Sequence, residues 1–226
     1  MSSSTLKPIT VWGKVGPNPP KIAMLLEELN LPNDIRNIEF ADLKGPAYLA
    51  INPNGRMPAI QDPNTGITLW ESGAIIEYLV ERYDTEHRVS FAPGTPEAAA
   101  AKQWLFFQVS GQGPYYGQAV WFMKYHSEKL PSAVERYAKE IARISGVLEG
   151  HLARQKEAGV DGPWLVGGKF SFADLSFLPW QVIMLVHMKD IYEPDAFPLV
   201  KDWVDRMLAR PALKKVMDEV SKAMGK

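Results

Sequence analysis

The sequence has 226 residues, 46% hydrophobic and 23% charged, which suits one large globular domain or two small ones. The formal net charge of −1 gives no basic excess of the kind that predicts binding to nucleic acid or to a membrane surface. Because the chain has no cysteine, a protein thiol nucleophile, a Cys-X-X-Cys redox pair and a thiolate-bound zinc are excluded.

The first part of the chain alternates strand and helix patterns. Strands are predicted where short β-rich or alternating runs occur, and helices where apolar residues recur at intervals of three and four. A turn of sequence Asp-Pro-Asn-Thr-Gly, at residues 62–66, joins two of these strands as in a hairpin. The predicted order is β-α-β-(α)-β-β-α, with strands at residues 9–12, 35–40, 58–60 and 67–70 and helices at 22–29, 48–51 and 76–83.

The rest of the chain is predicted to be helical, after a linker at residues 89–96 that contains proline and serine. We therefore predict one domain at residues 1–88 and an all-helical domain at residues 97–226. The first long helix should be kinked or broken at residues 111–114, which read Gly-Gln-Gly-Pro. Helices are predicted at residues 96–123 and 131–155, with two more beginning at Ser171 and Pro211.

Three short motifs carry most of the functional information. Residues 52–60 read Asn-Pro-Asn-Gly-Arg-Met-Pro-Ala-Ile, and residues 70–75 read Trp-Glu-Ser-Gly-Ala-Ile at the start of an amphipathic helix. Residues 171–174 read Ser-Phe-Ala-Asp, whose spacing is that of a capping box and indicates a structural role for Asp174.

In this order, and with these elements between them, the motifs resemble those of the cytosolic glutathione transferases over almost the whole chain. The resemblance implies an α/β plus all-α fold, with a thioredoxin-like domain followed by an all-helical domain, and glutathione as co-substrate. It also implies a homodimer. The segments at residues 16–21 and 108–118 resemble a fungal branch related to a yeast nitrogen-catabolite repressor, and the bacterial nu class.

The resemblance assigns the glutathione site to residues of the first two motifs. Pro58 is expected to follow a cis peptide bond, so that the backbone of Met57 can pair with the cysteinyl part of glutathione. Ser72 would donate to the γ-glutamyl carboxylate and Glu71 would accept from its ammonium, at the positive end of a helix. Arg56 could pair with a ligand carboxylate. The simpler alternatives are a strand start, a helix cap and a solvated arginine.

The reacting sulfur needs stabilisation, because a thiol has a pKa near ~8.5 and is mostly protonated at neutral pH. The loop at residues 13–18 contains no hydroxyl group. By the resemblance Asn18 takes the catalytic position, where its amide can donate to a thiolate but cannot remove a proton. The alternative for Asn18 is turn formation, since Asn-Pro favours turns.

The pocket for the second substrate is predicted to be lined by Trp12, Tyr115 and Tyr116. Aromatic residues at such spacing also form cores and subunit interfaces, so both interpretations stay open. The nu-like pattern implies that Arg136 reaches glutathione bound to the neighbouring subunit; otherwise it is a surface charge. The four histidines lack the spacing of metal ligands, and no metal is expected.

Two functions are compatible with these residues. The first is a glutathione-dependent detoxifying transferase that reduces disulfides or peroxides, or conjugates small electrophiles. The second is a non-catalytic glutathione-binding regulatory or scaffold protein of the same fold. A cytoplasmic location is expected, because residues 1–7 lack the apolar core of a secretory signal and cysteine is absent. No nucleic acid or membrane partner is expected.

Overall fold

The computed structural model of this chain describes residues 6–160 and 162–223. The contacts within it define two compact units, Met1–Ser90 with Arg210–Lys226, and Phe91–Ala209. Residues 1–5, most of the segment that indicated no secretory signal, lie outside the described residues.

The first unit contains a four-stranded mixed sheet of order β2-β1-β3-β4. The strand β1 pairs in parallel with β2, while β1 with β3 and β3 with β4 are antiparallel. The β3–β4 pair is the predicted hairpin, and β1 and β2 form the parallel pair beside it. The strands are β1 (Ile9–Trp12), β2 (Asn33–Arg36), β3 (Ala59–Asp62) and β4 (Ile67–Trp70).

The second strand begins and ends earlier than the predicted range of residues 35–40. It lies at the edge of the sheet and pairs only with β1, from Ile9 opposite Asn33 to Trp12 opposite Arg36. Its length is therefore set by its four-residue partner rather than by its own alternation. The chain then enters a 3₁₀ turn at Phe40–Lys44, and the side chain of Phe40 is exposed.

Between residues 6 and 90 the α-helices of this unit are α1 (Pro19–Glu28), α2 (Pro46–Leu49) and α3 (Ser72–Tyr83). The helix α1 begins before the predicted start at residue 22, because the prolines at its first two positions lack only an N–H group that the first helical turn leaves unpaired. Its apolar residues Ile22, Leu25 and Leu26 are fully buried, as the helical spacing predicted. Together with Val11 of β1 and Ile60 of β3, they form the core of this unit.

Every regular element in the described residues of the second unit, 91–160 and 162–209, is helical. The predicted interruption of the first long helix is confirmed as a π-helical turn at Gln108–Gln112. The predicted capping box of Ser171 and Asp174 is also present. The helices are α4 (Pro96–Phe107), α5 (Gly113–Lys124), α6 (Pro131–Glu157), α7 (Phe172–His187) and α8 (Pro198–Leu208).

The last helix, α9 (Pro211–Ala223), packs against α1 and belongs to the first unit. This differs from the predicted helical domain of residues 97–226. Its buried residues Leu213, Val216 and Val220 lie on one face at helical spacing. Among the residues that the structure describes, no helix is long and apolar enough to cross a membrane.

Candidate ligand-binding site

The strand register brings three loop segments to one edge of the sheet. Trp12, the last residue of β1, lies opposite Ala59, the first residue of β3. Ala59 in turn lies opposite Trp70, the last residue of β4. The loop after Trp12, the Met57–Pro58 segment before Ala59 and the Glu71–Ser72 pair after Trp70 therefore leave the sheet side by side. The sequence-predicted residues of the first unit thus meet at one edge.

The loop from Gly13 to Asn18 packs directly against Met57. Gly13 has φ +112°, and a Cβ atom added to it would lie 2.8 Å from Cβ of Met57. A side chain at position 13 is therefore excluded both by backbone conformation and by contact. This close approach joins the loop that carries Asn18 to the segment that precedes β3.

Asn18 precedes α1, and its side chain makes no capping hydrogen bond. Its backbone oxygen accepts from the amide of Lys21 at 3.2 Å. The first two residues of the helix are prolines and have no N–H to donate. The first turn of α1 therefore offers few backbone N–H groups to a ligand. The side-chain amide of Asn18 is not used for capping, so it can donate to a ligand at this end of the helix.

The segment before β3 is held through the carbonyl oxygen of Arg56. This oxygen accepts from the hydroxyl of Tyr48 at 2.8 Å and from the side-chain amide of Asn52 at 2.6 Å. The Met57–Pro58 peptide bond is cis, which confirms the expectation for Pro58. The side chain of Arg56 is exposed, so it is accessible to a solvent-borne carboxylate.

Glu71 and Ser72 form the start of α3 without capping it. Glu71 is the residue before the helix and makes no side-chain capping bond. Its backbone has φ 74° and ψ 116°, which is sparsely populated for residues other than glycine. Ser72 is the first helical residue and is buried, while Glu71 is exposed. The free first turn and the helix dipole favour an anion at this position.

A buried cation lies in the same unit, on the first turn of α1. Lys21 is 1% exposed. Burial lowers the pKa of Lys21 from its ordinary value of 10.5 to about 7, and the carboxylate of Glu71 raises it in part. Two chain segments that adjoin the candidate site are thus coupled electrostatically.

The side chain of Trp12 mainly packs against other residues of the first unit. Its indole N–H donates to the side-chain oxygen of Gln61 at 3.0 Å, and its ring packs edge-on against Tyr48. The guanidinium of Arg36 lies 5.4 Å from the ring centre. A role of Trp12 in a second-substrate pocket stays a prediction.

The other predicted residues belong to the helical unit. Tyr116 is fully buried, and its hydroxyl lies 3.1 Å from the hydroxyl oxygen of Ser145. Burial raises the pKa of Tyr116 well above its usual value, so the phenol stays neutral. Tyr115 is half-buried against Tyr137, and Arg136 is exposed on α6. Their roles toward ligands stay predictions.

Three residues near this edge had no predicted role. Asn52 and Tyr48 fix the carbonyl of Arg56, and Lys21 is a buried side chain whose pKa the carboxylate of Glu71 raises in part. Asn52 is the first residue of the motif at residues 52–60, and Lys21 is the last residue of the segment at residues 16–21. Their places in these segments were the signal by which the sequence could have marked them. Within residues 6–160 and 162–223, no group of three or more His, Asp or Glu side chains could hold a metal ion.

The fold and this edge define a class of protein: a thioredoxin-like domain with a proline-preceded strand, followed in sequence by a helical domain. This is the architecture of the glutathione transferases. Family models for the glutathione S-transferase N-terminal and C-terminal domains match residues 7–81 and 113–211. The chain belongs to the glutathione S-transferase family, which confirms the predicted fold and class of enzyme.

Individual relatives support the fungal branch as well. The chain is 61% identical to the glutathione S-transferase-like protein tpcF of Aspergillus fumigatus, over 95% of this chain and 97% of that protein. It is 38% identical to the protein URE2 of Debaryomyces hansenii, over 89% of this chain and 74% of that protein. The glutathione transferase URE2P8 of Phanerochaete chrysosporium, crystallised with oxidised glutathione, matches with a TM-score of 0.89 and 41% identity over 100% of both chains.

Proposed function

We propose that this chain binds glutathione at the edge formed by the Gly13–Asn18 loop, Met57–Pro58 and Glu71–Ser72, and uses the bound thiolate in transfer and disulfide exchange. The observation that carries the proposal is the strand register, which brings these three segments together from distant parts of the chain. The relative URE2P8, whose crystals contain oxidised glutathione, supports the same ligand.

Each segment matches one part of the tripeptide. The first turn of α3 and Ser72 suit the γ-glutamyl carboxylate, and Glu71 suits the ammonium on the same carbon atom. The backbone of Met57 suits the cysteinyl peptide group, because an extended strand end offers one donor and one acceptor. Arg56 has an exposed guanidinium for a carboxylate.

Asn18 stabilises the sulfur by hydrogen bonding rather than by proton transfer. Its amide can donate to a thiolate, and a thiolate is a stronger acceptor than a thiol. The preceding loop residues, from Gly13 to Pro17, carry no hydroxyl or thiol that could act instead. The hydrogen bond from Asn18 and the electrostatic field of the site therefore lower the pKa of the glutathione thiol. The proton is released to solvent.

Disulfide exchange is the reaction that such a site suits best. The glutathione thiolate attacks one sulfur of a disulfide, forms a mixed disulfide and releases the other sulfur as a thiolate. A second glutathione thiolate then attacks the mixed disulfide, yielding oxidised glutathione and the second thiolate. The protein supplies position and field, while both sulfurs that are oxidised come from glutathione.

Four parts of this proposal rest on the family resemblance and on composition. They are peroxide reduction alongside disulfide exchange, a role in detoxification, a homodimer in which Arg136 of one copy reaches glutathione on the other, and a cytoplasmic location. The absence of cysteine is compatible with a reducing compartment. A role of Tyr115 and Tyr116 toward the second substrate also stays part of the proposal.

Calorimetric titration with glutathione tests the binding step, and parallel turnover assays test the chemistry. We expect saturable binding, and faster reduction of a small hydroxyalkyl disulfide than conjugation of a model aromatic halide. No binding would reject the whole proposal. Binding without turnover would favour the regulatory alternative, and faster conjugation than reduction would reverse the order of the two reactions.

A further inference from the structure

Trp180 carries a buried polar group in the helical unit. It lies in α7, and only 7% of the residue is exposed. Within residues 6–160 and 162–223, its indole nitrogen Nε1 makes no hydrogen bond with another protein atom. A buried donor without an acceptor is costly, and such groups are rare in folded proteins. The indole N–H therefore needs an acceptor that the described residues do not supply.

The indole of Trp180 lies along two glycines of α5. A Cβ atom added to Gly117 would lie 3.3 Å from Cη2 of the indole, which is closer than Cβ contacts normally are. A Cβ atom added to Gly113 would lie 3.7 Å from Nε1, which is ordinary van der Waals contact. The side of Gly113 that faces Nε1 therefore has room for a group about the size of a methyl or a water molecule.

The atoms around this space belong mostly to polar groups of the π-helical turn. The carbonyl oxygen of Gln108 lies 3.5 Å from the same Cβ position, and its side-chain Nε2 lies 3.7 Å from it. The amide of Gly113 donates to that carbonyl, which is the i to i+5 bond typical of a π-turn. A methyl group here would be surrounded by polar atoms, whereas a water molecule could accept from the indole N–H.

The neighbouring core is polar, and its hydrogen bonds are long. Tyr116 packs edge-on against the ring of Trp180, and its hydroxyl lies 3.1 Å from that of Ser145. The hydroxyl of Tyr192 donates to Gln181 at 3.4 Å. Hydroxyl donors usually lie about 2.7–2.8 Å from their acceptors. Because all of these side chains are buried, their own hydrogen bonds close this core loosely, and internal water is the usual partner of such groups.

We propose that the helical unit binds a water molecule between Trp180 and Gly113, where the water accepts a hydrogen bond from the indole N–H. The water lies against the π-helical turn, so it links α7 to the start of α5. Gly113 has φ −54°, which any residue can adopt. The missing side chain at this position therefore makes room for the water and is not required by the backbone.

The substitution Gly113→Ala has opposite effects on a hydrated and a dry site. In a dry site, alanine would raise the Tm by about 1–4 °C, because it fits by contact and reduces the entropy of the unfolded chain. In a hydrated site the methyl group displaces the water, so we expect the Tm to fall by about 2–6 °C. The matched control is Gly146→Ala, at an exposed glycine of α6 with open space around it, which should raise the Tm.

Trp180→Phe removes the donor, and the effect of Gly113→Ala should depend on it. In the Trp180→Phe background, Gly113→Ala should no longer lower the Tm. A high-resolution crystal structure of the wild type should show a solvent peak within about 3.2 Å of Nε1, and the Gly113→Ala structure should lack it. If Trp180→Phe does not fold, these two crystal structures decide.

Three results would each reject the proposal. They are a higher Tm for Gly113→Ala, an equal fall in Tm with and without the indole N–H, and a wild-type structure without the solvent peak. Density that fits only a larger solute would reject water as the occupant.

Discussion

Arg210 donates two parallel hydrogen bonds to Glu28, from Nε to Oε1 and from Nη2 to Oε2, each 2.8 Å long. The carboxylate is 9% exposed, and the two residues are 182 positions apart in the chain. The pair fixes the start of α9 to the end of α1, and Lys215 adds a second pair with Glu27. Further along α9, Val216 and Val220 line a small cleft with Gly13 and Pro19, so the helix backs the loop that carries Asn18.

We therefore expect Arg210→Met to lower the free energy of unfolding by about 1–3 kcal/mol, since it leaves a mostly buried carboxylate without its two donors. The measurement is urea denaturation followed by tryptophan fluorescence. The same substitution at Lys214, which pairs with Asp218 on the exposed side of α9, should have no resolvable effect. Equal effects of the two substitutions would contradict the special role of the bidentate pair.

Asp174 connects the start of α7 to two other parts of the helical unit. One carboxylate oxygen accepts from the amide of Leu165 and from the indole N–H of Trp203, both at 2.9 Å. The other accepts from the amide and the hydroxyl of Ser171, at 2.9 and 3.0 Å. All of these groups are buried, and no solvent can replace a lost acceptor.

Asp174→Asn should lower the free energy of unfolding by about 3 kcal/mol or more. An amide replaces one acceptor oxygen by an N–H₂ group, which would face two donors in the same buried space. Thermal and urea unfolding measure the loss. Asp218→Asn makes the same chemical change on the surface and should be nearly neutral, so a small effect at position 174 would show that the network is not important for stability.

Much of this fold could be predicted from local patterns. The strand at Ile9–Trp12 and the start of α7 were identified because their periodicity and capping residues are local in sequence. The range of β2 was wrong because pairing with β1, and not its own alternation, sets its ends. The return of α9 to α1 could not be predicted, since it depends on ion pairs between residues far apart in the chain.

The site was predictable to the extent that a motif marks it. The motifs predict Asn18, Met57 and Ser72 as site residues because each lies in a recognisable segment, and the register brings those segments to one edge of the sheet. Their roles toward a ligand stay predictions. The burial of Lys21 could not be inferred, because a lysine in the first turn of a helix is ordinarily solvated. The environment of Tyr116 could not be predicted either, because its spacing suited a core position as well as a pocket. The residue is fully buried.

Asn18 and Ser72 should affect different steps of the proposed reaction. Asn18→Ala removes a donor that acts on developing sulfur charge, so kcat should fall by about 10- to 100-fold while the Kd for glutathione changes by less than about threefold. Ser72→Ala removes a charge-assisted hydrogen bond to the ligand and should raise the Kd about tenfold with little change in kcat. Steady-state disulfide reduction and calorimetry separate the two effects.

Asn37→Ala, at an exposed asparagine near the end of β2, is the control for the chemical change and should leave both constants unaltered. A fall in stability without a change in kcat for Asn18→Ala would indicate that Asn18 only shapes the turn before α1. A parallel loss of kcat and binding in both variants would contradict the assignment of separate roles.

Lys21 should also make the stability of the protein depend on pH in the alkaline range. The pKa of Lys21 is lowered by burial to about 7, against 10.5 in an exposed lysine. Between these values the unfolded chain binds a proton that the folded chain does not, so the free energy of unfolding rises with pH. Below pH 7 Lys21 is protonated in both states and contributes no slope. Folding is therefore opposed most by this residue at neutral and acidic pH.

The measurement is urea denaturation of the wild type and of Lys21→Met at intervals from pH 6 to pH 9.5. The wild type should gain on the order of 3 kcal/mol relative to Lys21→Met between pH 7 and pH 9.5, at about 1.4 kcal/mol per pH unit. Titration of other groups affects both proteins and cancels in the difference, and Lys214→Met should follow the wild type. Parallel curves for the wild type and Lys21→Met would mean that Lys21 keeps its proton when folded.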